Sequence, residues 1–198
     1  MGPGGARAPL ALYLGPSLAR TTLEDFQAAH FKRPQLTSPS DARWVPPSYP
    51  WFKINTDAAL FNDLRTVGIG AIIRDQEGAV IAALSQHMHL ALGPLEAEAK
   101  ALDVAVSFAW DIGIRDVIFE TDSNTPPAAI VDIMESIQQK LLDFRHFQVQ
   151  HVRRQGNKPA HALAHHAKGI HDFVTWIEEC PQFIESFVFH DAMYLSSS

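Results

Sequence analysis

The chain has 198 residues, 46% of them hydrophobic and 19% charged, with 16 Lys and Arg against 22 Asp and Glu. That length and apolar share suit one globular domain with a flank, and no uncharged apolar run approaches the ~20 residues of a bilayer crossing. A single cysteine, Cys180, excludes an internal disulfide framework and a cysteine-based zinc cluster, and the net charge of −6 excludes holding nucleic acid by bulk charge alone.

Residues 1–46 read as a flexible leader and linker. Met1 to Arg20 is rich in Gly and Pro, carries Arg7 and Arg20, and has no acid before Glu24. Its apolar stretch, Leu10 to Leu14, is too short for a signal-peptide core of ~7–15 residues. The acid-free, Arg-containing start is compatible with an organellar transit sequence, although Ser is sparse. Thr21 with Glu24 fits a capping box, which predicts a short helix over Thr22 to Phe31. Pro34 to Pro50, rich in Pro and Ser, reads as a linker.

From Trp51 the pattern becomes regular. Trp51 to Asp57 alternates as a strand does, and Val67 to Arg74 and Ala79 to Ser85 are two further β-rich runs. Asp75 to Gly78 between them supplies a hairpin turn. Pro94 to Ile112 is predicted as a helix, with Pro94 in its first turn, a stripe of Leu95, Leu102, Ala105, Val106, Ala109 and Ile112, and Gly113 as its stop. Val117 to Asp122 is a strand, Ala128 to Leu142 a helix and Phe147 to Val152 a strand. Asn157 can cap a last helix, with Pro159 in its first turn and Ala160, Leu163, Ala164 and Ala167 on one face. The order β-β-β-α-β-α-β-α implies an α/β domain with a mixed five-stranded sheet and helices against it. The domain is placed at residues 47–191, with a C-terminal extension expected to pack through Phe173, Trp176, Ile177 and Phe183.

Three carboxylates lie on these apolar elements. Asp57 is expected to end the first strand and Asp122 the fourth, where α/β sheets gather ligands. Glu98, three residues after Leu95 and four before Leu102, falls on the sheet-facing stripe of its helix. Any one of them alone reads as a solvated strand-end or helix-end acid. A carboxylate on a buried stripe, however, must be paired, protonated or metal-bound, and three crowded acids repel unless a cation neutralises them. Oxygen-only ligands select hard ions such as Mg²⁺. Two such ions about 3.5–4 Å apart can activate a water and stabilise the leaving oxygen of a phosphodiester.

The runs INTDAA, GIGAIIRDQEG, PLEAEAKALDVAV, FETDS and HVRRQGNKPAHALA, in this order, resemble the ribonuclease H type 1 domain. The resemblance extends to the plant retrotransposon-derived branch through Trp44 to Pro47 and through Trp176-Ile177-Glu178-Glu179-x-Pro181, and covers about Trp44 to Asp191. It implies a ribonuclease H-like fold and endonucleolytic hydrolysis of the RNA strand of RNA–DNA hybrids, with Mg²⁺, or Mn²⁺, as cofactor. It assigns catalysis and metal binding to Asp57 in NTD, Glu98 in AEA and Asp122 in TDS.

Two departures accompany the resemblance. The family's fourth acidic metal position is His161 here, as is common in the plant branch, and a neutral imidazole cannot replace a carboxylate on Mg²⁺. Ser123 to Pro127 leads straight into a single helix, so one family helix is missing after the fourth strand. Arg153, Arg154 and Lys158 form a basic run between the last strand and the last helix; alone it would be a solvated loop, and its position favours phosphate contact. His161, His165 and His166 read as a solvated helix face, since no third ligand for a transition metal is evident, and His151 as a structural strand-end group. The expected partner is an RNA–DNA hybrid, with no membrane or disulfide partner and a monomeric state. The alternatives are a nucleic-acid-binding module of the same fold without strong catalysis, and a retroelement remnant with no biochemical role.

Overall fold

The computed structural model describes residues 31–32, 43–122 and 131–193, and seven strands there join in one sheet. They are β1 (Phe31–Lys32), β2 (Phe52–Phe61), β3 (Thr66–Arg74), β4 (Val80–Met88), β5 (Asp116–Thr121), β6 (His146–His151) and β7 (Phe173–Ile177). The α-helices among these residues are α1 (Pro94–Ile112), α2 (Val131–Leu141), α3 (Lys158–His166) and α4 (Glu185–Met193). The sheet order is β1-β6-β5-β2-β3-β4-β7. It is parallel from β1 to β2 and antiparallel from β2 to β7. The mixed α/β sheet is therefore as predicted, with one further strand at each edge. Five strands is an undercount because β1 has only two residues and β7 lies beyond the last predicted helix. The predicted leader helix lies outside the described residues, except for Phe31, which pairs with Val149 in the sheet.

Local chemistry explains the element boundaries. Asp75 Oδ1 accepts hydrogen bonds from the backbone of Glu77 and Ala79, and Gly78 turns the chain at φ 81°, closing the β3–β4 hairpin. Pro94 needs no N–H partner at the start of α1, and Gly113 ends it at φ 91°, where a side chain would be strained. A single helix, α2, lies between β5 and β6 among the described residues; the segment Ser123 to Pro127 after the fourth predicted strand lies outside them.

Both faces of the sheet are covered. Ile54, Ile73, Leu84, Val117 and Phe119 pack with Leu102 and Val106 of α1 and with Ile137 and Leu141 of α2. On the opposite face, Ile72 and Ala83 pack with Ala160 and Leu163 of α3 and with Ile184. Central strand β3 is buried along its length, as a strand between two helical layers must be. The C-terminal extension packs differently from the expectation. Alternation along β7 turns Trp176 inward and leaves Phe173 and Ile177 55% and 52% exposed. Phe183 is 40% exposed and does pack, its ring stacked on His166 and edge-on to Trp176. Ile184, Phe187 and Val188 bury the apolar surface there instead.

A charged residue sits at the heart of the second face. Arg74 is fully buried, with its guanidinium 3.6 Å from the centroid of the Trp44 ring. It donates to Asn55 Oδ1 and to Asp191 Oδ2, both at 2.8 Å. Asn55 passes the network on to Glu120, which also holds Lys53 at 2.9 Å and accepts from Gln150. Buried charges survive only when paired and hydrogen-bonded in this way.

Candidate active site

The site forms where parallel pairing stops. The β2–β5 ladder ends with Thr56 opposite Thr121, so Asp57 and Asp122 occupy the next position of each chain, side by side. Asp122 leaves the sheet there, as expected. Asp57 does not end its strand: β2 runs on to Phe61, because β3 keeps pairing with it as far as Thr66. What ends at Asp57 is its parallel neighbour, which opens one side of the strand. Glu98 comes from the second turn of α1. The three acids converge, with a carboxylate oxygen of each lying within 4.8 Å of the others.

Crowding and burial show in their acidity. Burial, then Asp57, then Asp122 push the Glu98 carboxyl up to about 8, with Arg154 opposing. Burial and Asp122 push Asp57 up to about 6, against the pull of His161. Glu98 Oε2 is buried without a hydrogen-bond partner. A buried, unpartnered acceptor among like charges costs stability unless a cation or proton compensates it. This donor set, three carboxylate oxygens around an unmatched acceptor, fits a hard divalent ion and offers nothing to a soft one.

Other groups compensate the acids in part. His161 Nδ1 donates to Asp57 Oδ2 at 2.7 Å, so His161, exposed on its helix face as its spacing suggests, also has a partner in the acid cluster. Arg154 Nε makes a longer contact of 3.4 Å to Asp122 Oδ2, and His151 Nε2 donates to the Asp122 carbonyl at 3.2 Å. Arg153, Arg154 and Lys158 are all exposed on the β6–α3 connection and the start of α3. His165 is exposed with its ring 4.4 Å from that of His161, whereas His166 bonds Ser85 and packs with Trp176 and Phe183.

Two supporting contacts escape the sequence reading. Asn157 occupies the N-cap position of α3, yet its side chain does not cap the helix. Asn157 Nδ2 instead donates to the Thr56 carbonyl at 3.0 Å, tying α3 to the residue before Asp57. Helix α3 also lies directly on the β3 backbone: a Cβ at Gly70 would stand 2.2 Å from the Ala160 carbonyl, and one at Gly68 equally close to that of Ala164. Gly70 is paired with Asp57 across the ladder, so this approach sets the distance between His161 and Asp57. The signal was present in the sequence as Gly-x-Gly in one strand and Ala-x-x-x-Ala in one helix.

Comparison with known proteins gives three likenesses. Residues 55–167 match the family model described as reverse transcriptase-like. An Arabidopsis thaliana protein named as a ribonuclease H protein is 28% identical over an alignment of 147 residues that covers 66% of this chain and 23% of that relative, so the chain spans about a quarter of its length. Among solved structures, the ribonuclease H1 of the halophilic archaeon Halobacterium salinarum NRC-1 superposes with a TM-score of 0.53 at 22% identity, covering 60% of this chain and 98% of that one. LC11 ribonuclease H1, solved in complex with an RNA/DNA hybrid, gives 0.51 at 19% identity, covering 59% and 95%. At these identities the solved structures speak for the fold.

Proposed function

The chain belongs to the reverse transcriptase-like family and is a ribonuclease H domain, and from that premise we propose that it hydrolyses the RNA strand of RNA–DNA hybrids, internally and with divalent metal. The observation that carries this reading is the convergence of Asp57, Glu98 and Asp122 within 4.8 Å. In it, these three side chains hold Mg²⁺ or Mn²⁺. The chemistry such ions supply when bound is polarisation of the scissile phosphodiester and of the attacking water. Asp57 lies within β2, Asp122 directly follows β5 and Glu98 stands on α1, and this support from regular elements favours a geometry set before substrate arrives. Arg153, Arg154 and Lys158 contact phosphates beside the acids and orient the hybrid without reading its sequence.

The test is cleavage of a labelled RNA–DNA hybrid in Mg²⁺ or Mn²⁺ beside Asp57→Asn, Glu98→Gln and Asp122→Asn. Each substitution should abolish cleavage and leave hybrid binding largely intact. Equal cleavage by wild type and Asp57→Asn would overturn the site.

A second reading, a hybrid-binding module with little catalysis, draws on His161. With Nδ1 bonded to Asp57, this imidazole stands where the family pattern has a fourth acid. A carboxylate restored there adds an oxygen ligand for a second ion. His161→Asp should therefore raise cleavage at low Mg²⁺. A variant that binds hybrid and cuts it in neither metal would favour the binding module.

A further inference from the structure

The stretch from His151 to His171 contains no Asp or Glu, although the chain holds 22 acids; it carries Arg153, Arg154, Lys158, Lys168 and five of the ten histidines. The fold lays part of this stretch out in a line. Helix α3 buries Ala160, Leu163 and Ala164 and turns Lys158, His161 and His165 to solvent, and the 3-10 turn Ala167–Gly169 continues the line with exposed Lys168. Spacings of three, four and three residues keep these groups on one helical edge. At a rise of ~1.5 Å per residue the line is roughly 15 Å long, about four steps of a duplex at ~3.4 Å each.

Near its first end the line touches the acid cluster, where His161 bonds Asp57. The other end is aromatic. His165 meets the Phe61 ring edge-on with centroids 6.3 Å apart, and Lys168 Nζ lies 5.8 Å from the same ring. Beyond Phe61 stand His87, 6.3 Å away, and His89, 5.0 Å from His87. On a protein of net charge −6, an edge of lysines and imidazoles drawn from an acid-free stretch gives a polyanion a local place to approach.

We propose that this edge of α3 is a second nucleic-acid contact surface, carrying the phosphate backbone of one hybrid arm from the acids towards Phe61, with His165 and Lys168 as its contacts. The assignment rests on the hybrid-cleaving reading above and extends it by giving the bound duplex a direction. Lys168 supplies a point charge for phosphate, and His165 supplies a ring donor beside it.

The test is fluorescence anisotropy on the full chain in chelator, so that nothing is cut. It uses one long labelled hybrid and one trimmed to the length lying over the acids. Lys168→Glu with His165→Ala should weaken binding of the long hybrid about fivefold or more and lower its salt slope by about one. The short hybrid should be unaffected, and so should the melting temperature. Arg145→Glu, a charge reversal beside Asp116 at the far end of β5, controls for net charge alone. A long-hybrid loss no larger than that of Arg145→Glu would overturn the surface. If Arg153→Ala with Arg154→Ala still weakens binding in that case, the hybrid-cleaving reading stands without it. A wild-type chain that binds neither hybrid would overturn both.

Discussion

Burial and two like-charged neighbours hold the Glu98 carboxyl near 8, whereas in an unfolded chain it ionises near its ordinary value of 4.5. The raised value means the fold favours the protonated form. This carboxyl therefore costs nothing below about pH 4.5, costs progressively more as pH rises towards 8, and levels off above that. Glu98→Gln should stabilise the metal-free protein by about 1–3 kcal/mol at pH 7 and leave it unchanged near pH 4. Urea melts at the two pH values measure this, and equal stability at pH 7 would mean the carboxyl is relieved by another group. Asp57 adds a cost of the same sign in a narrower window, from 3.8 to about 6. A divalent ion must displace these protons, so its stabilising effect should grow from about pH 5.5 to about pH 8.5. A thermal shift in Mn²⁺ that stays flat across that range would remove Asp57 and Glu98 from the ligand set.

Among the elements, α3 depends most on what is missing from its neighbour. Its Ala160 and Ala164 backbone occupies the space a side chain on Gly70 would need. Gly70→Ala should cost about 1–3 kcal/mol, or more, and slow cleavage by moving His161 and Asn157 away from Asp57 and Thr56. Gly113→Ala, where nothing stands within 4 Å and only the left-handed φ is strained, should cost about 1 kcal/mol and leave cleavage alone. Calorimetry and a cleavage assay on both variants check the contrast, and equal effects would contradict the contact. The same elements show what could be read in advance. Helix α1 was legible from Pro94 to Gly113, because its signals are local: a proline, an apolar stripe and a glycine. The end of β2 was not, since Ala58 to Phe61 remain a strand only through pairing with β3. The three acids could be picked out by residue type and position on apolar elements. The bonds from His161 to Asp57 and from Asn157 to Thr56 could not, for they span 104 and 101 residues.

At the scale of the whole molecule, Arg74 joins regions far apart in sequence. Its guanidinium rests on Trp44, which precedes the first long strand, and bonds Asp191, in the helix after the last one. Asp191→Ala would strand a buried guanidinium and should cost about 3–5 kcal/mol. Arg74→Met with Asp191→Leu should recover much of that loss, because it removes the charge together with its partner. Chemical denaturation of the single and double variants would show this; additive losses would mean the pair is not coupled.

The position of Trp44 and Asp191 against one guanidinium also means that the stretch between them, which holds every described strand but β1, begins and ends at nearly the same place. A domain with adjacent entry and exit can be spliced into a surface loop of another protein without stretching either host strand or changing its own topology. The match to a stretch that is 23% of a longer Arabidopsis relative is compatible with such modular carriage. Residues 43–193, inserted into an exposed loop of an unrelated carrier, should keep their own melting transition. A piece cut to the family match at 55–167 keeps Asn55 but lacks Trp44 and Asp191, two of the three groups that hold Arg74, and should not keep it.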